Sequence, residues 1–415
     1  MQPNTEPAMV IVGAGHVGGR AALALREAGW TGEIVLIGSE SALPYERPPL
    51  SKGVLTGAQT LAQTAILTPE ACDAARITHW TGTVTAIHPM ARSVSLSDGR
   101  SLSYKSLLLA TGGHARVLAI PGADHAAVQA LRTQADAIAL APRLKAGAHV
   151  VLVGGGFIGL EVAASARAMG CRVTLLEGAP RLMGRAVPAS VADRVLALHR
   201  RHGVDVRLGI VPRAFEATDG VALRIHLTDG EPLLADVVVV GIGIEPATEL
   251  ARGAGLRIER GIVVDRRLAT SAAGVYAAGD VAEFPSPLSG LPIRQETWHN
   301  AETQARVAAL NMLGGDESYR SSAWFWSDQY DWQLQVSGEP ALGVTAVQRP
   351  LGDVDAELNL YLNADGRIVG VSGCGPTSVV AKELKLARTL VERGVHASAE
   401  QLADPAVKLK SLLTA

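Results

Sequence analysis

A glycine pattern that occurs twice is the strongest constraint on what this chain can fold into. Gly13-Ala14-Gly15-His16-Val17-Gly18 lies between the apolar run Met9–Gly13 and the alanine-rich stretch Val17–Gly29. Gly154-Gly155-Gly156-Phe157-Ile158-Gly159 lies between His149–Gly154 and Phe157–Gly170. Each is G-x-G-x-x-G between a β-like run and a helical one, and each leads to a second β-like run, Glu33–Gly38 or Arg172–Glu177. In such a βαβ unit the first glycine makes the turn, the second lets backbone approach a pyrophosphate, and the third lets helix and strand pack closely. The helix N-terminus adds free N–H groups and a partial positive charge. Two units a domain's length apart predict an α/β chain with two Rossmann-like domains and two bound dinucleotides. Gly13, Gly15, Val17 and Gly18 are the candidates for the first, and Gly154, Gly156, Phe157, Ile158 and Gly159 for the second.

An acidic residue is expected about 20 residues further on, to accept hydrogen bonds from an adenosine ribose. After the first unit two positions compete: Glu40 has the chemistry, and Ser39 holds the expected place. After the second, Glu177 ends its strand. A carboxylate there bonds the 2′-hydroxyl of NADH and repels the 2′-phosphate of NADPH. Arg181 and Arg185 follow closely enough to soften that discrimination, so NADH is favoured over NADPH without being required. Hydride transfer from nicotinamide to a flavin explains why one chain needs both sites, which makes FAD and NADH the expected cofactors.

Between and after the two units the pattern is strand-rich. Thr83–Ile87 and Ser93–Leu96, followed by Asp98-Gly99, read as a hairpin. Leu107–Ala110 is a buried strand running into Thr111-Gly112-Gly113. Strands are expected near Val221–Leu227, with Asp229-Gly230 as a turn, and at Asp236–Val240, ending in Gly241-Ile242-Gly243. Val275–Ala278 leads to Gly279-Asp280, and Ala301–Leu313 is helical. Composition then shifts: Tyr319–Trp332 holds Trp324, Phe325, Trp326, Tyr330 and Trp332. Strands at Leu358–Leu362 and Ile368–Ser372 and helices near Val379–Arg393 and Ala406–Leu413 predict a third, α+β domain. The expected division is 1–116 with 246–320 for FAD, 117–245 for NAD and 321–415 for the C-terminal domain.

Composition excludes several classes. A formal charge of −2 over 415 residues gives no reason to expect nucleic acid or an anionic membrane as partner. The three cysteines, Cys72, Cys171 and Cys374, form no C-x-x-C. That argues against a disulfide framework, a zinc or iron–sulfur site and a redox dithiol, and three small buried thiols are expected. Met1–Ala8 is polar, with no apolar signal-peptide core, and no run of eighteen apolar residues follows, so a cytoplasmic protein is expected.

The segment Pro44-Tyr45-Glu46-Arg47-Pro48-Pro49-Leu50-Ser51-Lys52 resembles the P-Y-x-R-P-P-L-S-K stretch of oxygenase-coupled ferredoxin reductases, flavoproteins of the glutathione-reductase-like fold. The resemblance extends through Ala110-Thr111-Gly112, Leu131-Arg132-Thr133, Gly154–Glu161, Pro180–Met183, Gly241–Gly243, Ala278–Val281 and Trp324-Phe325-Trp326-Ser327-Asp328-Gln329, so it covers the chain to about Val336. It implies that Arg47, Val84, Ala110, Thr111, Gly112, Arg132 and Asp280 contact FAD. It implies that Lys52 sits near flavin N5 and pairs with Glu161, and that Gly243 and Glu296 belong to the NAD side. Trp298 would lie beside the isoalloxazine and Trp326 would cover it, although each tryptophan reads equally well as core. A lysine beside the ring can stabilise charge on the reduced flavin, and a buried Glu161 needs a partner. Three places depart from the family pattern: Ser39 for the usual acid, Trp332 in a variable stretch, and Ser372-Gly373-Cys374-Gly375-Pro376.

With no dithiol, haem or cluster ligand set, electrons must leave the flavin for an outside acceptor. The resemblance implies a 2Fe–2S ferredoxin that feeds a cytochrome P450 or a Rieske oxygenase, with Arg294, Arg306 and Arg320 as candidates for a basic docking patch. A rubredoxin or quinone reductase would share every flavin motif. A flavoprotein with an interaction role, of the apoptosis-inducing-factor kind, ranks below both. Monomer and homodimer are equally compatible with the sequence.

Overall fold

The computed structural model describes residues 7–413 apart from 185, 221 and 353. The described residues fall into two compact units, those within 7–46, 62–114 and 245–323, and those within 47–61, 115–244 and 324–413.

The first unit is built on a parallel sheet in the order Ile77–Thr81, Ile34–Gly38, Ala8–Val12, Ser101–Leu109, Val275–Ala277. Ala8–Val12 and Ile34–Gly38 are buried at every residue, as expected of strands covered on both faces. The helix His16–Glu27 packs on the helix Trp298–Met312. Their buried faces are largely alanine (Ala21, Ala22 and Ala24 against Ala301, Ala305, Ala308 and Ala309), and such small side chains let helices approach closely. The predicted strand Leu107–Ala110 is the end of a longer one, Ser101–Leu109. Its first half pairs with Ser93–Leu96 and its second half with the parallel sheet.

In the second unit five parallel strands run Val204–Leu208, Arg172–Glu177, His149–Val153, Val237–Val240, Val128–Ala130. The strand expected at Asp236–Val240 forms over Val237–Val240. Asp236 separates Leu233–Ala235 from Val237–Val240, its N–H donating to His149 O at 2.9 Å and its Oδ2 accepting the His149 N–H at 2.8 Å. Leu223–Leu227 is a strand as expected, while Val221 lies outside the described residues.

The C-terminal part is a five-stranded antiparallel sheet in the order Trp324–Gln329, Trp332–Gly338, Ile368–Pro376, Glu357–Leu362, Thr345–Arg349, covered by the helix Thr377–Glu392. The aromatic segment is therefore a hairpin, turned at Tyr330 with φ 58°. The helix expected at Ala406–Leu413 is not formed. Instead, a short helix Ala399–Ala403 is closed by a Ser398–Gln401 capping box, and a 3-10 turn spans Leu409–Leu413. Pro405 cannot supply the N–H a continuing helix needs.

Candidate functional site

Strand register assembles the first site. Val12 pairs with Leu109, and Leu109 pairs with Ala277, so Gly13, Ala110 and Ala278 leave the sheet in one row at its carboxyl edge. That edge, where the strand order changes direction, is where open α/β sheets bind ligands. Gly13 has φ 113°, and a Cβ there would stand 2.1 Å from Ala110 O; a Cβ on Gly18 would stand 2.0 Å from Gly13 O. The second fingerprint repeats both approaches. Gly154 has φ 110° with Gly241 O 2.4 Å from its absent Cβ, and Gly159 would meet Gly154 O at 2.2 Å. Only glycine tolerates these positions.

The two helices that follow share a second property. His16–Glu27 and Phe157–Ala168 begin at Gly15 and Gly156, with no side-chain cap and no acidic residue in the first turn. Thr68, Thr133, Thr297 and Ser398 cap their helices with a side chain, and the helices Ala189–Arg201 and Thr377–Glu392, also uncapped, start at a proline and not at a glycine. First-turn N–H groups left without a side-chain acceptor suit a phosphate. Open space around Gly156, where a Cβ would meet nothing within 4 Å, leaves room for one. The residues present thus fit two dinucleotide pyrophosphates.

Around the first fingerprint, Gly279-Asp280 follows the last strand, and a Cβ on Gly279 would press on Val17 at 2.5 Å. Thr111 Oγ1 donates to Ala247 O at 2.8 Å, and Gly112 has φ 63°. Val84 is buried just after Thr81, which pairs with Gly38. Of the two ribose candidates, Ser39 is exposed, and Glu40 Oε2 accepts from Tyr45 Oη at 2.6 Å. His16 was not anticipated. Its Nε2 lies 2.6 Å from Glu302 Oε1, which also accepts from Arg20 Nε at 2.6 Å. Burial opposes ionisation of Glu302, but the bonds from His16 and Arg20 outweigh it and hold the carboxyl below its ordinary range. His16 also meets Trp298 edge-on, with ring centroids 5.6 Å apart. Glu296 pairs with Arg294, so that arginine does not offer free charge, whereas Arg306 and Arg320 are exposed.

In the second unit Glu177 closes on the glycine loop. Its carboxylate accepts from the N–H of Gly155 at 2.6 Å and of Ala179 at 2.7 Å. Gly243, at φ 101°, lies just past the end of Val237–Val240, the strand that pairs with His149–Val153. Phe157 packs edge-on against Phe325 at 5.0 Å, and Ile158 is exposed. Arg47 and Arg132 meet, the guanidinium of Arg47 donating to Arg132 O. Arg185 lies outside the described residues.

Three expected catalytic residues gather in this unit. Lys52 Nζ lies 3.4 Å from Glu161 Oε1, 3.4 Å from Asp328 Oδ2 and 5.8 Å from the centre of the Trp326 ring. The Trp326 indole donates to Asp328 Oδ2 at 3.0 Å. Glu161 is buried and accepts from Ser51 Oγ and, at 2.7 Å, from Ser327 Oγ. Burial pushes its carboxyl above the ordinary range, against the opposing pull of Lys52, Ser51 and Ser327. Sequence reasoning missed Asp328, Ser51 and Ser327 as partners; all three sit inside the two motifs that carried the family resemblance.

The pyridine nucleotide-disulphide oxidoreductase family model matches residues 7–305, and the reductase C-terminal model matches residues 324–413. The chain is 42% identical over 407 residues to the ferredoxin–NAD(+) reductase component of the anthranilate 1,2-dioxygenase system of Burkholderia cepacia, covering 97% of this chain and 98% of that one. It is 38% identical over 421 residues to putidaredoxin reductase of Pseudomonas putida, covering 99% and 98%. The crystal structure of a covalent putidaredoxin reductase–putidaredoxin complex superimposes with a TM-score of 0.92, at 36% identity over 99% of each chain.

Proposed function

This chain belongs to the pyridine nucleotide-disulphide oxidoreductase family, and on that footing we propose that it is an FAD-dependent NADH:ferredoxin reductase that feeds an oxygenase. The observation that carries the reading is the repeated, uncapped, glycine-started helix at the carboxyl edge of each parallel sheet, one for each dinucleotide. Its membership in the reductase family and its similarity to reductase components of oxygenase systems supply the acceptor class.

Bound FAD supplies the exchange of a two-electron hydride for two single electrons. One NADH then reduces two 2Fe–2S clusters and releases one proton. The loop Gly154–Gly159 and the first-turn N–H groups behind it bind the NADH pyrophosphate, and Glu177 accepts the ribose hydroxyls. Lys52, held by Glu161 and Asp328, supplies positive charge where negative charge develops. Glu161, accepting from Ser51 and Ser327, holds the Lys52 ammonium in place, while burial raises its own carboxyl above the ordinary range. Trp326 shields that pair. For FAD, we assign Gly13, Gly15, Val17, Gly18, Val84, Ala110, Thr111, Gly112, Asp280 and Trp298, with Glu40 or Ser39 at the ribose and Arg47 and Arg132 as further contacts. Gly243 and Glu296 are assigned to NADH.

Exposed Arg306 and Arg320 suit an acidic 2Fe–2S ferredoxin, itself the donor to a P450 or Rieske oxygenase. Among the described residues no helix is long and apolar enough to cross a membrane. Dependence on NADH agrees with a cytoplasmic setting, and the three-domain division stands as part of this reading. NADH-driven reduction of cytochrome c should depend on added 2Fe–2S ferredoxin. Equal rates without ferredoxin, or dependence on rubredoxin or a quinone instead, would replace the acceptor.

A further inference from the structure

Glu161 stands at the end of a buried chain of hydrogen bonds that begins far from it in sequence. His199, on the helix Ala189–Arg201, has no exposed surface. Its Nδ1 lies 3.3 Å from Tyr330 Oη, and its Nε2 lies 2.8 Å from Gln329 Oε1. Gln329 Nε2 donates to Ser327 Oγ at 3.0 Å, and Ser327 Oγ reaches Glu161 Oε1 at 2.7 Å. Ser327 and Gln329 are two apart on one strand, so both side chains leave the same inward face.

For each tautomer of His199, every member of this chain has one way to satisfy both neighbours. With the proton on Nε2, His199 donates to the Gln329 carbonyl, the Gln329 amide donates to Ser327, and the single hydroxyl proton of Ser327 goes to Glu161. With the proton on Nδ1, Nε2 becomes an acceptor. Gln329 must then turn its amide nitrogen to the imidazole and its oxygen to Ser327. The Ser327 proton follows that oxygen and leaves Glu161. Only a protonated Glu161, donating to Ser327 in return, suits this reversed chain.

We propose that His199 is a positioning residue for Glu161: its tautomer and the protonation of Glu161 are locked together through Gln329 and Ser327, so the imidazole sets how firmly the carboxylate beside Lys52 is held. The inference rests on the role given to Glu161 and Lys52 above. The other charged and titratable neighbours are few. Lys52 lies 3.4 Å from both Glu161 and Asp328, and the charge of Arg167 acts on Tyr330. The Tyr330 phenol and, stacked on it at 3.6 Å, the His202 ring lie beside His199.

The test uses the full-length, FAD-loaded protein carrying ¹⁵N-histidine and ¹³C-glutamate, titrated without NADH. Nitrogen shifts report the His199 tautomer, and the isotope-edited carboxyl band, identified by its loss in Glu161→Gln, reports Glu161. In the native protein the two should change together. In Ser327→Ala the tautomer should stop following the carboxyl, and the Glu161 midpoint should rise by about one pH unit with one charge-directed donor lost. His199→Phe, which keeps the Ser327 donor but frees its direction, should raise it by less, and the double variant no further than Ser327→Ala alone. If His199→Phe does not fold, the comparison of Ser327→Ala with the native protein still decides. A tautomer indifferent to Glu161 in the native protein, or shifts that add in the double variant, overturns the proposal. Flavin bleaching by NADH in the native protein tests the hydride reading separately, so failure of one leaves the other distinguishable.

Discussion

Buried ionisable residues give this protein opposing pH responses. His199 is held down to about 4 by burial, against the bond its imidazole donates to Gln329 Oε1. Between its ordinary value near 6.5 and about 4 the unfolded chain binds more protons than the native one, so this residue's contribution falls as pH drops through that window. The loss amounts to roughly 3 kcal/mol at most. The stability gap between the native protein and His199→Phe should therefore narrow from pH 7 to pH 4 in denaturant melts, and a constant gap would contradict the assignment. Glu161 works the other way. Its raised value means the native state keeps a proton that the unfolded state releases, so its contribution declines as pH rises above about 4.5. Glu177 belongs to selectivity. With its carboxylate gone, Glu177→Ala should bring the kcat/KM values for NADH and NADPH together by roughly tenfold or more, about 1.4 kcal/mol.

At the scale of elements, the glycines of the second fingerprint are predicted to separate by role. A Cβ on Gly159 would collide with Gly154 O, so Gly159→Ala should lower the melting temperature of the whole protein. A Cβ on Gly156 meets open space, so Gly156→Ala should fold normally and keep its FAD, yet raise KM for NADH by roughly tenfold through loss of close backbone approach. Equal effects of the two on melting would contradict the assignment. These elements were legible in sequence because short-range rules dictate them: five-residue apolar strands, glycine turns and alanine-rich helices. The short helix Ala399–Ala403 and the 3-10 turn Leu409–Leu413 were not, because a helical-looking composition hid the stop at Pro405. The strand Trp324–Gln329 reads in sequence as an aromatic cluster, and its strand character depends on pairing with Trp332–Gly338. Lys52, Glu161 and Trp326 were found through motif resemblance. His199 lies 130 residues from its partner Gln329, and no local pattern announces such a contact.

For the molecule as a whole, the repeated fingerprint sets a stoichiometry: two dinucleotides for each chain, one kept and one exchanged. The cysteines take no part. All three are buried, and burial raises each thiol, Cys374 to about 12, so thiolate reagents should leave NADH oxidation unchanged over the time in which they inactivate a dithiol flavoenzyme. Loss of activity in parallel with labelling of the folded protein would contradict this. The central claim, that hydride passes from the second dinucleotide to the first, is tested most directly by anaerobic titration of the purified protein with NADH while flavin absorbance is followed. The account predicts one flavin per chain, bleached by one equivalent of NADH with a new long-wavelength band. A flavin that stays oxidised in excess NADH, or a chain that holds no flavin, would contradict it.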